Sequence, residues 1–302
     1  MIKTVRLIHN PTAGDEEHNK EHLLAQIKAC GLECRYSSTK NDDWKDTLDD
    51  ADMIAVAGGD GTVRKVVKQL VKKKIDKPVG VLPLGTANNI AKTFQIDGNI
   101  RAAAENWRNG HIKKIDIGVI KNVDDAEFFL EGFGFGLFPC LMKEMKDKED
   151  AYDSPEAELK GALREMHRVL LSYEPRECHL EIDGTDHSGK FYMVEVMNIK
   201  SIGPNIELSP WADPGDGEFE VVLVPEAHKE KFADYLLHKM EGGDDPYQFH
   251  TLKAKNIVLK WDGSRCHADD KLLKIEKEAE VRIALKEGAL SFLLPEHEPA
   301  SR

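Results

Sequence analysis

The chain has 302 residues and a formal net charge of −12 at pH 7, and 41% of its residues are hydrophobic. This length exceeds one average domain and predicts two, while the acidic charge argues against nucleic-acid binding, which needs a basic surface. No apolar stretch approaches the roughly 20 residues that span a bilayer. The first residues enter a strand pattern without a leader-like apolar region, and five irregularly spaced cysteines are typical of reduced thiols. These features favour a cytoplasmic protein.

The opening third alternates strand-like and helix-like segments. Thr4 to His9 is strand-like and ends at the Asn10-Pro11 turn. Apolar residues at helical spacing follow from Leu23 to Cys30, and Gly31 suits the position just past a helix end. Leu32 to Ser37 reads as a second strand, and Ile100 to Trp107 reads as a short helix. Strands that alternate with helices predict a parallel sheet.

Two glycine turns each connect an apolar strand pattern to a helix pattern. Gly58-Gly59-Asp60-Gly61-Thr62 follows the run from Met53 to Ala57, and Leu84-Gly85-Thr86-Ala87-Asn88-Asn89 follows the run from Val79 to Pro83. Glycine allows the backbone to approach a ligand closely, and a helix N-terminus attracts anions. Because ligands of open α/β sheets bind beyond the carboxyl ends of the strands, these turns predict a phosphate-binding crevice.

Asp60 is the one ionisable residue inside the two turns. A carboxylate beside phosphates repels them unless it meets a bridging Mg²⁺ or takes part in catalysis. The alternative is a cap on the following helix, which contributes about 1 kcal/mol. If Asp60 is catalytic, its replacement lowers turnover far more than stability.

From Ile115 onward the sequence is rich in short strand patterns separated by turns, which is typical of a β-sandwich. The strand patterns are Ile115 to Ile120, Phe128 to Phe138, His179 to Ile182, Lys190 to Met197, Glu218 to Val224, Lys255 to Trp261 and Glu280 to Leu285. One long helical pattern, Pro155 to Tyr173, interrupts them. Its apolar stripe predicts that it packs on the sandwich or beside a cleft.

Three motifs in a fixed order resemble the diacylglycerol kinase catalytic family, which includes the soluble bacterial lipid kinases and the sphingosine kinases. They are Asn10-Pro11-Thr12-Ala13-Gly14, the GGDGT turn from Gly58 to Thr62, and PLGTANNIAKTF from Pro83 to Phe94. The resemblance implies an α/β plus all-β fold. A Rossmann-like nucleotide domain of the NAD kinase and diacylglycerol kinase type is expected at residues 1–114, and a β-sandwich at residues 115–302. The strand near 290–294 is expected to return to the first domain.

Phosphoryl transfer needs a cradle for the phosphates of ATP, a metal ion such as Mg²⁺, and a base near the acceptor hydroxyl. The residues predicted to form the cradle are Asn10, Gly14, Gly58, Gly59, Gly61, Thr62, Gly85 and Thr86. The resemblance adds Thr39, because a threonine recurs there in the family. The alternative for the glycines is tight turn packing in an unrelated α/β protein.

The family carries a C-terminal Asp-Gly-Glu whose aspartate resembles a general base, and here the sequence departs from it. Asp269 matches the aspartate, but Asp270 replaces the glycine and Lys271 replaces the glutamate. Asp262-Gly263 keeps the dipeptide but is followed by Ser264. We therefore predict Asp269 as the base, together with Asp60 as a catalytic residue; the alternative for Asp269 is a solvated turn between strands.

A second acidic loop, Asp213-Pro214-Gly215-Asp216-Gly217, carries two carboxylates suited to an oxygen-ligated cation. The resemblance implies a largely structural metal with Asp213 and Asp216 as ligands; an ordinary turn is the alternative. The run Gly132-Phe133-Gly134-Phe135-Gly136 lacks the spacing of a dinucleotide fingerprint. It reads as strand packing, with Phe133, Phe135 and Phe138 lining a lipid entrance.

The helix after the first glycine turn is crowded with basic residues: Arg64, Lys65, Lys68, Lys72, Lys73, Lys74 and Lys77. A solvated helix face is one interpretation. The other is peripheral contact with anionic lipid headgroups, where each basic side chain contributes about 1 kcal/mol.

The sequence as a whole predicts an ATP-dependent lipid kinase that uses Mg²⁺ and phosphorylates a lipid hydroxyl. Nothing in it selects the acceptor lipid. Two alternatives stay open: another kinase with a GGDGT turn, such as an NAD kinase, and a non-catalytic nucleotide- or lipid-binding regulator, suggested by Asp270 and Lys271. A homodimer is a further expectation for a chain with a β-sandwich domain.

Overall fold

The computed structural model describes residues 2–14, 18–146, 152, 154–243 and 249–295. The described chain divides into two compact units, one within Met1–Ile115 and Gly288–Arg302 and the other within Asp116–Glu287. All five cysteines are free thiols. No helix of the described ranges is long and apolar enough to cross a bilayer.

The first unit is built on a parallel sheet. Its strands are β1 (Thr4–His9), β2 (Glu33–Ser38), β3 (Met53–Gly58) and β4 (Val79–Pro83). They lie in the order β4-β3-β1-β2, and all three pairings are parallel. Strands β1 and β3 are buried almost throughout and read as continuous apolar runs, as expected for the centre of a parallel sheet covered by helices.

Four helices accompany these strands: α1 (Lys20–Ala29), α2 (Asp60–Lys73), α3 (Asn89–Thr93) and α4 (Ile100–Asn109). Asn19 and Asn99 cap α1 and α4 with their side chains, which satisfies helix N–H groups that have no partner within the helix. A core of strand and helix residues, including Leu7, Ala55 and Trp107, holds the unit together. Strand β5 (His111–Lys121) begins in this unit.

The second unit is dominated by antiparallel strands. Its strands are β6 (Phe128–Phe129), β7 (Gly132–Gly136), β8 (Arg176–Ile182), β9 (Thr185–Asp186), β10 (Gly189–Met197), β11 (Ser201–Ile202), β12 (Ile206–Glu207), β13 (Phe219–Pro225), β14 (His250–Ala254), β15 (Asn256–Trp261), β16 (Arg265–Ala268), β17 (Lys271–Lys274) and β18 (Glu280–Leu294). The neighbours run β17-β16-β7-β10-β8-β15-β18, while β13 joins β10 to β14. Strand β18 ends in the first unit, where Phe292 pairs in parallel with Val79 of β4.

The described part of the second unit contains three α-helices: α5 (Leu137–Lys146), α6 (Pro155–Ser172) and α7 (Lys229–Met240). They share an apolar core with one side of β10 and β13, in which Met166, Met193 and Phe232 are fully buried. A second core, which includes Phe133, Phe219 and Leu259, fills the inside of the strand layers. Both faces of the central strands are therefore packed.

The predicted fold class, an α/β unit plus a β-sandwich, is confirmed. The prediction of one continuous strand from Phe128 to Phe138 is wrong. The strand is interrupted at Leu130 and Glu131, which separate β6 from β7, and helix α5 begins at Leu137. Helix α7 lies in a region for which no helix was predicted.

Candidate functional site

The predicted cradle residues lie at the carboxyl edge of the parallel sheet in the first unit. The Asn10 amide donates to the Ala57 carbonyl (2.9 Å), and the Thr39 amide donates to the His9 carbonyl (2.8 Å). The Leu84 amide donates to the Gly58 carbonyl (3.1 Å). The ends of all four strands are thus joined by backbone hydrogen bonds, and ligand binding in such sheets occurs at this edge.

The two glycine turns are in direct contact through Gly59 and Gly85. Behind them Thr62, which is 5% exposed, packs on Gly58 and leaves no room there for a side chain. Gly61 lies in the first turn of α2, while Thr86 is exposed on the second turn. The first amides of a helix have no intrahelical acceptors, so the start of α2 is the part of this edge best suited to an anion.

Asp60 caps a helix other than its own. It is the first residue of α2, but its carboxylate accepts the amides of Asn89 (2.8 Å) and Ile90 (3.0 Å) at the start of α3. The alternative expectation, that Asp60 caps α2, is therefore wrong, because Gly59 holds the N-cap position of α2 and Asp60 caps α3. The same contact occupies the anion-attracting amides of α3, so the second turn does not present them to a phosphate.

Asn88 holds the second glycine turn closed, and the sequence reasoning missed it. Its backbone is left-handed (φ 53°), its Oδ1 accepts the Gly85 amide (3.0 Å) and its Nδ2 donates to the Gly85 carbonyl (2.7 Å). The signal was present in the Asn88-Asn89 pair, since asparagine tolerates the left-handed region and bonds to nearby backbone.

The loop after β1 is held by Asn10 in a similar way. The Asn10 Oδ1 accepts the Thr12 hydroxyl (2.8 Å), and the Asn10 carbonyl accepts the Ala13 amide (3.0 Å). Gly14 adopts φ 84°, and a Cβ there would lie 2.9 Å from the Cβ of His18. Asn10 and Gly14 therefore shape this loop through their backbone and local contacts.

His9, at the end of β1, is a second residue that the sequence reasoning missed. It is 2% exposed, its Nδ1 lies 3.2 Å from the Tyr36 hydroxyl, and its Nε2 is buried without a hydrogen-bond partner among the described residues. Burial and, to a lesser extent, the neighbouring His18 lower the pKa of His9. A neutral imidazole therefore stands at the sheet edge near Asn10.

In the second unit, Asp269 lies in the turn between β16 and β17, and its carboxylate is held by the start of β7. Its Oδ1 accepts the amides of Leu130 (3.0 Å), Glu131 (2.7 Å) and Gly132 (3.3 Å). The Asp269 backbone is left-handed (φ 53°), and its amide donates to the Gly132 carbonyl (2.8 Å). These bonds fix the direction of the carboxylate.

The two residues that depart from the family pattern follow directly. The Lys271 Nζ donates to the Asp125 carbonyl (3.0 Å) and lies 3.9 Å from Asp125 Oδ2. The charge reversal at position 271 is thus partly offset by a carboxylate from a different segment. The alternative base, Asp262, forms an ion pair with Lys277 (2.7 Å).

A cavity of about 550 Å³ lies against the Asp269 turn. Most of its lining comes from α5, the Gly203-Pro204 turn and residues 270–272, and the rest comes from Tyr152 and, on α6, Glu158. The lining residues are Phe138, Leu141, Met142, Met145, Lys146, Tyr152, Glu158, Gly203, Pro204, Asp270, Lys271 and Leu272. The expectation that Phe133 and Phe135 line a lipid entrance is wrong, because both are fully buried in the strand core. Phe138 does line the cavity, from helix α5.

The acidic loop is neutralised by a lysine. The Lys253 Nζ lies 3.1 Å from Asp216 Oδ2 and 2.8 Å from Glu218 Oε2, and these carboxylates raise the pKa of Lys253. Asp213 accepts the Gly215 amide instead (3.1 Å). No cluster of three or more His, Cys, Asp or Glu side chains in the described ranges could hold a metal ion. Asp213 and Asp216 as cation ligands stay a prediction, one that requires Lys253 to move.

The basic face of α2 is partly paired. Lys73, the last residue of α2, forms an ion pair with Asp46 (2.8 Å), and Lys77, which lies beyond the end of the helix, pairs with Asp49 (3.5 Å). Exposed pairs of this kind contribute little to stability, but they reduce the positive charge available to a lipid surface.

A parallel α/β unit with a GGDGT turn, followed in the chain by a β-sandwich unit, defines a class of two-domain kinases. The profile of the diacylglycerol kinase catalytic domain matches residues 4–120, and that of the YegS C-terminal NAD kinase beta sandwich-like domain matches residues 150–282. The two profile matches together cover most of the chain, and the predicted resemblance to the diacylglycerol kinase catalytic family is confirmed.

Relatives named diacylglycerol kinase align with most of the chain. A diacylglycerol kinase of Bacillus subtilis (strain 168) is 29% identical over 275 residues, which are 85% of this chain and 86% of the relative. One of Staphylococcus aureus (strain MRSA252) is 27% identical over 237 residues, or 76% and 72% of the two chains. The crystal structure of a diacylglycerol kinase from Bacillus anthracis str. Sterne matches with a TM-score of 0.73 at 21% identity, covering 99% of this chain and 98% of that one. This last likeness concerns the fold alone.

Proposed function

We propose that the protein transfers the γ-phosphate of ATP to the hydroxyl group of a lipid. The observation that carries this proposal is the cavity beside the Asp269 turn, since residues 270–272 lie in its wall. A volume near 550 Å³ falls in the usual range for small-molecule sites. Its Phe, Leu and Met lining suits a hydrocarbon chain, and each buried CH₂ contributes about 0.8 kcal/mol.

In this proposal the first unit binds the nucleotide at its sheet edge. Asn10, Gly14, Thr39, Gly58, Gly59, Gly61, Thr62, Gly85 and Thr86 form the cradle, and the start of α2 receives a phosphate. Asp60 anchors α3 through the amides of Asn89 and Ile90 and lies in the first turn of α2, beside the glycines of the cradle. The parallel strands and the hydrogen-bonded loops keep this edge rigid before a ligand arrives.

Asp269 acts on the acceptor. Its carboxylate accepts or orients the proton of the lipid hydroxyl, whose oxygen bonds to the γ-phosphorus as the bond to ADP breaks. The three amides from Leu130 to Gly132 hold the carboxylate in place. The apolar cavity lowers the access of water that would otherwise compete for the phosphate.

Mg²⁺ completes the proposal as a partner of the nucleotide. The described residues offer no protein cage for a metal, but Mg²⁺ is commonly held by one or two carboxylates together with substrate phosphates. Asp60 is the carboxylate placed for this, although both of its oxygens already accept amides.

The test is transfer of radiolabelled γ-phosphate from Mg·ATP into a total lipid extract by the wild type and by Asp269→Asn. We expect a labelled lipid that falls at least a hundredfold in the variant, with ATP binding retained. Asp234→Asn, the same change on the exposed side of α7, is the matched control and keeps full activity. Label that persists in Asp269→Asn would reject Asp269 as the base.

Two other results would replace the proposal. Phosphorylation of NAD by the pure protein, with no labelled lipid, would favour the NAD kinase alternative. ATP binding with no labelled product would favour a regulator. Peripheral membrane contact through α2 and a homodimer remain parts of the proposal to be tested separately, by liposome sedimentation and by light scattering.

A further inference from the structure

Glu195 and His267 meet in the interior of the second unit across an intervening strand. Gly134 of β7 pairs with Glu195 of β10 on one side and with His267 of β16 on the other. The two side chains reach over Gly134 and join, with His267 Nε2 2.7 Å from Glu195 Oε2. Both side chains are fully buried.

Gly134 makes this contact possible. A Cβ at position 134 would overlap the carboxylate of Glu195, so any larger residue would force the pair apart. Gly134, the middle glycine of the Gly132–Gly136 run, therefore leaves the space that the Glu195 and His267 side chains occupy.

The pair is connected to the Asp269 turn. His267 Nδ1 lies 2.8 Å from the Asp269 carbonyl oxygen, and because a carbonyl only accepts, Nδ1 carries the hydrogen. The ring also packs edge-on against Phe138, with centroids 4.7 Å apart. The backbone of Asp269 is thus held by His267, while its carboxylate is held by the amides of residues 130–132.

The protonation of the pair keeps this link intact. Burial by itself lowers the pKa of His267, but the Glu195 carboxylate and the hydrogen bonds to Glu195 and to the Asp269 carbonyl outweigh it, so that the pKa is raised. With Nδ1 committed to Asp269, one proton lies between Nε2 and Oε2 whether the pair is written as charged or as neutral. The hydrogen bond to Asp269 persists in both forms.

A buried pair of this kind is a poor source of stability, because desolvation offsets most of the attraction. Glu195 Oε1 also lacks a hydrogen-bond partner among the described residues. An apolar pair of similar size would fill the same space at lower cost. A role in positioning the Asp269 turn therefore explains the pair better than a contribution to the stability of the fold.

We propose that Glu195 and His267 are positioning residues that hold the Asp269 turn in its left-handed conformation and so aim the Asp269 carboxylate. This inference rests on the proposed function for its kinetic consequence, since Asp269 is the base only if the protein is a lipid kinase. The geometric part, a turn held by the pair, stands independently of activity.

The experiment compares Glu195→Leu, which removes the hydrogen bond, with Glu195→Gln, which keeps a partner for His267 Nε2 in either protonation state. We expect kcat for lipid phosphorylation to fall at least tenfold in Glu195→Leu with the KM for ATP unchanged, and Glu195→Gln to stay within about threefold of the wild type. Tyr235→Phe, which removes a partly buried hydrogen bond to the Glu207 carbonyl, is the control for a merely structural loss.

Amide hydrogen exchange at Leu130 and Glu131 supplies a readout that needs no activity. We expect these amides to lose protection in Glu195→Leu and to keep it in Glu195→Gln and Tyr235→Phe. Unchanged protection together with unchanged kcat in Glu195→Leu would overturn the positioning role. If the wild type phosphorylates no lipid, the proposed function fails, and the exchange result alone decides whether the pair holds the turn.

Discussion

Gly59 and Gly85 pack Cα against backbone: a Cβ added to Gly85 would lie 2.5 Å from the Cα of Gly59, and one added to Gly59 would lie 3.0 Å from the Cα of Gly85. The two turns of the nucleotide edge are therefore matched to each other. A side chain on either one separates them and moves the start of α2.

Gly85→Ala should destabilise the protein by about 1–3 kcal/mol, as overpacking in a tight site generally does, and should weaken ATP binding. Gly98→Ala is the matched control, because nothing lies within 4 Å of a Cβ there, and we expect a change below about 1 kcal/mol. Urea unfolding and calorimetric ATP titration measure the two effects. Equal behaviour of the two variants would contradict the packing argument.

Asp60→Asn should lower both stability and turnover. An asparagine can accept one of the amides of Asn89 and Ile90 but turns an NH₂ group toward the other, which costs about 1–3 kcal/mol. The original expectation, that turnover falls far more than stability, is thus revised by the contact with α3. Parallel measurement of urea unfolding and lipid phosphorylation separates the two; full stability in the variant would show that the contact with α3 is weak.

A bulkier side chain in the cavity should weaken binding of the lipid acceptor and leave the affinity for ATP unchanged. Met145→Trp replaces a flexible thioether chain with a bulky indole ring in the space lined by Phe138 and Leu272. We expect the KM for the lipid to rise at least tenfold, with the affinity for ATP unchanged. Leu237→Trp on α7, at a position 42% exposed, is the control. A normal KM in Met145→Trp would place the acyl chain elsewhere.

The acidic loop should respond to the loss of its lysine. Lys253→Met leaves Asp216 and Glu218 without their cation, so the melting temperature should fall, and millimolar Mg²⁺ or Ca²⁺ should restore part of it. Lys255→Met, which breaks the exposed pair with Glu287, should show no such recovery. If neither ion restores Lys253→Met, the loop is an ordinary turn.

His9 should make the protein sensitive to mild acid. Because burial and His18 hold the pKa of His9 below 6.5, the unfolded chain takes up a proton at this residue before the folded chain does. The contribution of neutral His9 is fully present above pH 6.5 and is lost as the pH falls through its folded-state pKa. The free energy of unfolding of the wild type should therefore exceed that of His9→Gln by less at pH 5 than at pH 7.5. A difference in unfolding free energy that stays constant with pH in urea titrations would contradict this.

The sequence predicted the first unit well because its signals are local. Alternating strand and helix patterns, with glycine turns between them, identify β1 to β4 and the helices that follow. The prediction failed where tertiary packing decides. The apolar run after Gly132 continues without a break into Leu137 and Phe138, yet these residues form α5, which packs with α6 in a shared apolar core. No local signal separates a buried strand from a buried helix in so short a run.

The polar contacts of the site were the least predictable part. Asp60 reaches amides 29 and 30 positions away, and Glu195 reaches a histidine 72 positions away. One signal for the second contact was present, since Glu195 is a lone carboxylate in the apolar run from Phe191 to Met197. A buried charge demands a partner, but the partner is chosen by strand order, which the sequence alone does not specify.

The return of β18 to the first unit has a consequence for how the protein is made. Strand β4 pairs with β3 on one side and with Phe292 of β18 on the other, so during translation its second edge stays open while the whole of Asp116–Glu287 is synthesised. At typical elongation rates that interval lasts on the order of ten to thirty seconds. An open apolar edge invites pairing with other chains, so the nascent protein is exposed to mispairing at β4 until β18 has been made.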